Sequence, residues 1–195
     1  MDILTKEEVK TNWIGVLERI KRGDIFIHPS DTIYGLGCNA ADENAVKRLR
    51  DIKQRPSAPF SIWIPSLEWV KNNCILDKET EKSLKLLPGA YTLLLKLKSE
   101  KSLAKGVVNN KTVGIRYPNH WFGELIKRLD LPIITTSVNL SGEPFMSDVK
   151  DINPQIEQKV DFMVYEGKKE GSPSKVINTT TGEVINRKKQ SAAIS

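Results

Sequence analysis

Apolar positions recur along the chain with two periods, and the switches between them mark out its elements. Val9, Trp13, Val16, Leu17 and Ile20 fall on one helical face. Thr5 and Glu8 stand ahead of them in the order of a capping box and Gly23 follows, so a helix is predicted from Thr5 to Gly23. Ile25-Phe26-Ile27 then reads as a short strand leading into a polar turn, His28 to Thr32. Behind Asp42, a second helix points Ala45, Val46, Leu49 and Ile52 inward. It stops at Arg55-Pro56, because proline disfavours helical backbone in the residue before it. Phe60 to Ile64 reads as a strand. Ser66 and Asp77 each open a further helix, the second running to Leu87 before Pro88-Gly89 breaks it.

The second half repeats the alternation. Strands are predicted at Tyr91 to Leu97, Thr112 to Arg116, Pro132 to Thr136 and Phe162 to Tyr165, with helices at His120 to Leu129 and Asp151 to Gln158. Val176 to Asn178 and Val184 to Asn186 flank Thr181-Gly182 as a closing hairpin. Alternating strands and helices indicate an α/β domain, and the hairpin makes its sheet mixed rather than purely parallel. No internal repeat or linker divides the chain. One domain over residues 1–189 is expected, with a frayed tail at Gln190 to Ser195.

Composition narrows the setting. The 195 residues are 39% hydrophobic and 28% charged, enough for one sizeable core. Lys and Arg exceed Asp and Glu by 30 to 24, a net +6 that favours anionic partners without choosing among them. Cys38 and Cys74 have no His or Cys at metal-ligand spacing, which argues against a zinc site or disulfide framework. The charged N-terminus, MDILTKEEVK, is unlike a signal peptide, and no apolar run approaches the ~18 residues of a membrane span. A cytoplasmic chain away from membranes is expected.

Four polar clusters fall at predicted strand or helix ends, where open α/β sheets gather ligands. Pro29 to Gly37 (PSDTIYGLG) offers hydroxyls and glycines for close backbone approach, or forms an ordinary turn. Lys53-Gln54-Arg55-Pro56 could clamp phosphates or merely complement a helix dipole. Arg116, ending the strand of Thr112-Val113-Gly114-Ile115-Arg116, suits either a substrate carboxylate or a structural ion pair. Thr135 to Gly142 (TTSVNLSG) crowds hydroxyl and amide groups behind a buried run. There is no G-x-x-x-x-G-K-[ST] loop, no G-x-S-x-G elbow and no H-E-x-x-H helix. His28 and His120 lack an evident partner and read as structural.

Taken in order, PSDTIYGLG, KQRP, PGAYTL, VGIRYP, TSVNLSG and GSPSKVIN…INR resemble the YrdC/TsaC family of threonylcarbamoyl-AMP synthases, in its short single-domain form. The resemblance spans roughly residue 10 to residue 187. It implies a twisted open mixed β-sheet flanked by helices around a positively charged concave cavity. It also implies synthesis of L-threonylcarbamoyl-AMP from ATP, L-threonine and bicarbonate, with release of pyrophosphate, for modification of tRNA beside the anticodon. Carried over residue by residue, Lys53 and Arg55 correspond to the cationic pair facing the ATP phosphates. Thr112, Thr135, Asn139 and Arg187 fall with them on the ATP side. Thr32, Arg116, Ser137 and Ser174 fall on the threonine side, with Arg116 suited to the carboxylate. Mg²⁺ is implied through the ATP phosphates, and a tRNA threonylcarbamoyl transferase complex as the downstream partner.

Two other readings stand beside this one. The same basic cavity would serve a non-catalytic module binding double-stranded RNA or tRNA, although only 7% of residues are aromatic. A carbamoyl-transferring domain is the other, and such domains normally work fused to partner domains.

Overall fold

The computed structural model describes residues 1–185. Asn186, Arg187 and the tail at 190–195 lie outside the described residues. In chain order the elements are β1 (Asp2–Thr5), α1 (Lys6–Thr11), α2 (Trp13–Lys21), β2 (Phe26–His28), β3 (Gly35–Gly37), α3 (Glu43–Lys53), β4 (Ser61–Trp63), α4 (Leu67–Asn73) and α5 (Lys78–Leu84). They continue with β5 (Tyr91–Lys96), β6 (Thr112–Arg116), α6 (Gly123–Leu129), β7 (Ile133–Ser137), α7 (Pro154–Glu157), β8 (Phe162–Tyr165), β9 (Lys175–Asn178) and β10 (Val184–Ile185).

Local chemistry accounts for most helix starts. The Thr5–Glu8 capping box forms at α1, and Asp42, Ser66 and Asp77 each accept a backbone N–H in the first turn of α3, α4 and α5. The single helix expected from Thr5 to Gly23 is in fact two. Asn12 leaves helical geometry and caps α2 by accepting from Gly15 N. The break turns Trp13 outward, 36% exposed, with the Arg128 guanidinium 5.0 Å from its ring centre rather than core around it. The helix expected to reach Leu87 ends at Leu84, and the one expected from His120 begins at Gly123. Around Asp151 the chain makes a 3-10 turn, Val149–Asp151, before the four-residue α7.

The described strands form one mixed sheet in the order β1-β8-β2-β3-β7-β4-β6-β5-β9-β10. Pairings β1·β8, β2·β8, β4·β6 and β5·β9 are parallel, and the remaining five are antiparallel, including the closing hairpin β9·β10. Two apolar clusters cover the two faces. One gathers Ala45, Val46, Leu49 and Ile52 of α3 over Ile27, Leu36, Ile62, Ile115 and Ile134. The other gathers Val16, Leu17 and Ile20 of α2 and Leu125, Ile126 and Leu129 of α6 over Phe26, Trp63, Ile133 and Phe162.

Cross-strand partners share a face, and the registers show what lies beyond the second cluster. His28 pairs Gly35, Gly35 pairs Ser137, Ser61 pairs both Thr135 and Gly114, and Trp63 pairs Arg116. The face that is aromatic beneath α2 and α6 therefore becomes glycine and hydroxyl towards the end of β7. That change of side-chain size places the site.

Candidate active site

Where the sheet carries Gly35, Ser61, Thr135 and Ser137, no large side chain fills the face, and a cleft of about 170 Å³ opens. Thr32, Tyr34, Arg116, Thr136, Asn139, Phe145, Pro173 and Ser174 complete its lining with Ile33. Among the described lining residues Arg116 is the one Lys or Arg.

Arg116 is 6% exposed, and its Nη2 donates to Asp31 Oδ1 at 2.8 Å and to Thr32 Oγ1 at 3.1 Å. Asp31 accepts from Asn119 N through its other oxygen. Of the two readings left open for Arg116 the structural ion pair is present, and the same side chain lines the cleft. The hydroxyl order follows from counting protons. Ser30 Oγ gives its hydrogen to Ile33 O at 2.7 Å, so in its 3.0 Å contact with Thr32 it accepts. Thr32 Oγ1 therefore donates to Ser30 and presents lone pairs to Arg116. Across the cleft, Ser174 and Thr92 share a buried hydroxyl contact of 2.7 Å.

Lys53 ends α3 with 2% exposure, and its Nζ donates to Ser137 O (2.7 Å), Asn139 O (2.6 Å) and Asn139 Oδ1 (2.6 Å). Three ammonium hydrogens meet three acceptors. Burial, with Arg55 nearby, pulls this ammonium down to about 7. Asn139 also accepts from Ser137 Oγ and donates to Glu143 O. Lys53 thus locks the loop after β7 and shapes the cleft wall from behind. Arg55 lies outside the lining, half-buried, donating to Pro59 O with its guanidinium 5.3 Å from the Phe60 ring centre. Thr112 begins β6, at the opposite end of the strand from Arg116, and also lies outside the lining. The structure therefore brings Thr32, Arg116, Thr135, Ser137, Asn139 and Ser174 together, with Lys53 behind them and Arg55 and Thr112 further off. Arg187 lies outside the described residues.

Sequence reasoning passed over Ser61 and Thr92, and held Asp31 within the PSDTIYGLG cluster without foreseeing its pair with Arg116. Alternation within the two strands would have put Ser61 and Thr92 on the face of Gly114, whose added Cβ would lie 2.8 Å from Ser61 Oγ and 3.2 Å from Thr92 Cγ2. His28 is structural, as expected. It is fully buried, its ring is stacked on Phe122, its Nδ1 donates to Pro29 O, and burial pushes it down to about 3, so it stays neutral.

The family described as "Telomere recombination", Sua5/YciO/YrdC, matches residues 18–188. The chain belongs to the Sua5/YciO/YrdC family. The threonylcarbamoyl-AMP synthase of Pyrococcus abyssi is 34% identical over 83% of the chain and 48% of that protein. Escherichia coli YciO, carried as uncharacterized, is 30% identical over 84% of the chain and 82% of that protein. The fold superposes on Pyrococcus abyssi Sua5 complexed with L-threonine with a TM-score of 0.79, at 28% identity, over 94% of this chain and 55% of that one. The chain thus spans about half the length of the Sua5 structure it matches. Within the family frame, the cleft floor is built from the PSDTIYGLG, VGIRYP and TSVNLSG segments together, although they are far apart in sequence.

Proposed function

We propose that this chain condenses L-threonine, bicarbonate and ATP into L-threonylcarbamoyl-AMP and pyrophosphate. The observation that carries the reading is the buried Arg116–Thr32 pair in a hydroxyl-lined cleft, in a chain whose relatives include threonylcarbamoyl-AMP synthases. Arg116 would take the threonine carboxylate through its planar fork, with Thr32 and Ser174 beside it. Thr135, Ser137 and Asn139 would meet the nucleotide and the carbamate at the end of β7, where Lys53 holds their loop. Arg55, Thr112 and Arg187 are assigned to the phosphate side by the family motifs alone, Arg55 and Thr112 lying outside the cleft lining.

The chemistry asks for alignment more than for a nucleophile. Bicarbonate takes up a proton and loses water to give carbon dioxide, and the threonine amine adds to it and releases a proton to form a carbamate. A carbamate oxygen then attacks the α-phosphorus and displaces pyrophosphate. Backbone and hydroxyl donors on a rigid strand end supply that alignment, and a small cleft limits water around the labile anhydride. Mg²⁺ would ride on the ATP phosphates and offset the charge of the leaving pyrophosphate. The product would pass to a tRNA threonylcarbamoyl transferase complex. No helix among the described residues is long and apolar enough to cross a membrane.

Pyrophosphate release tests the reading. Release from ATP should require threonine and bicarbonate together. Release of phosphate and ADP, or turnover indifferent to threonine, would overturn it.

A further inference from the structure

Glu166 to Ser174 joins β8 to β9, and seven strand-to-strand steps separate those strands in the sheet. The segment crosses the sheet on the face that holds the cleft. It rests on the site directly. A Cβ added to Gly171 would lie 2.0 Å from the carbonyl oxygen of Thr32, while Pro173 and Ser174 form part of the lining.

One carboxylate fastens the start of this strap. Glu166 accepts from His120 Nε2 at 2.9 Å, from Trp121 Nε1 and from Lys169 Nζ. His120 Nδ1 accepts from Phe122 N, so in the neutral ring the hydrogen sits on Nε2 and points at Glu166. The Glu166 side chain keeps 19% exposure, less than that of any other strap carboxylate, Glu170 being at 78%. Tyr34, which lines the cleft, ties the backbone in: its Oη donates to Gly167 O at 2.6 Å and accepts from Glu166 N at 3.1 Å. The far end is fixed by the Ser174–Thr92 hydroxyl contact.

We propose that Glu166 is a positioning residue that clamps the 166–174 strap down over the Thr32–Arg116 end of the cleft and thereby holds threonine in place. The part concerning threonine rests on the function proposed above, whereas the clamp itself stands on the contacts just described. The clamp touches Tyr34 and the Thr32 end directly, and its tie towards the loop after β7 is a single bond from Lys169 N to Ser147 O at 2.9 Å, away from Lys53 and Asn139. Loosening it should therefore weaken one substrate and spare the other. The cleft, of about 170 Å³, is smaller than the ~300 Å³ at which ligand pockets usually begin, and the strap forms part of its wall.

The test uses the full chain, with Glu166→Gln and Trp121→Phe as variants. Trp121→Phe removes one donor to Glu166 at a residue outside the cleft lining. Calorimetry with L-threonine and with ATP is paired with amide hydrogen exchange across residues 166–174. Threonine affinity should fall about tenfold in Glu166→Gln, and less in Trp121→Phe, with ATP affinity held within about twofold. Exchange should quicken in the strap and nowhere else. Equal losses for both ligands, or exchange that quickens throughout the chain, would make Glu166 merely structural and overturn the proposal. If wild-type protein bound no threonine, the functional reading would fail. The clamp would then stand or fall on strap-confined exchange in the two variants.

Discussion

Arg116 gives one nitrogen, Nη2, to two acceptors at once, and its planar five-donor fork is what a ligand carboxylate would recognise. Arg116→Lys keeps the charge and discards the plane. Threonine affinity should drop by about one to two decades, the worth of a charged hydrogen bond of roughly 1.5–3 kcal/mol. ATP affinity should change little. Titration of the folded variant with each ligand separately checks this, and loss of ATP binding with threonine binding intact would reverse the assignment. At this scale the chain was readable in part. Arg116 stood out because a cation ends an apolar strand. Lys53 stood out as a charge at a helix end, but the sequence carries no sign that its three hydrogens would be taken by Ser137 and Asn139. Such saturation depends on a loop 84 to 86 positions away.

At the scale of the element, β3 is the instructive case. Gly35 and Gly37 have no strand propensity to speak of, and Gly-Leu-Gly reads as a turn. Pairing supplies the reason for both glycines. An added Cβ at Gly35 would lie only 2.5 Å from His28 Cε1 and Nε2, and one at Gly37 only 2.5 Å from the Ile134 carbonyl oxygen of the neighbouring β7, with His28 Cδ2 at 3.3 Å. Gly35→Ala should therefore cost about 1–3 kcal/mol through overpacking. In a His28→Ala background most of that penalty should vanish, because the obstructing ring is gone. Urea unfolding of the two single variants and the double variant measures the coupling, and strict additivity would remove His28 as the reason for Gly35. The missed β1 has a related cause. Asp2–Thr5 is a strand because β8 lies parallel beside it, a pairing of residues that local sequence cannot connect, Asp2 with Phe162 and Thr5 with Tyr165. By contrast α3, β6 and β8 were legible almost to the residue. Each is a clean periodic run with a cap or a breaker at its end.

For the whole molecule, the chain revealed the layer plan but not the strand order. Alternating strands and helices pointed to an α/β sheet, and the last hairpin to a mixed one. Nothing local could place β8 between β1 and β2, or carry the chain from β8 across to β9 over the cleft. That crossing is what brings Ser174 to the Thr32–Arg116 end of the site, and it shows why motifs scattered over the chain converge on one face. The central claim is a chemical one, that this cleft joins three small substrates, and one measurement addresses it most directly. Purified protein is incubated with ATP, L-threonine and isotopically labelled bicarbonate, and the nucleotide products are weighed by mass spectrometry. The account predicts threonylcarbamoyl-AMP whose carbamoyl carbon carries the label, formed together with pyrophosphate. Absence of that nucleotide, from folded protein that binds RNA tightly and with the steep salt dependence of many phosphate contacts, would contradict it and leave the RNA-binding module in its place.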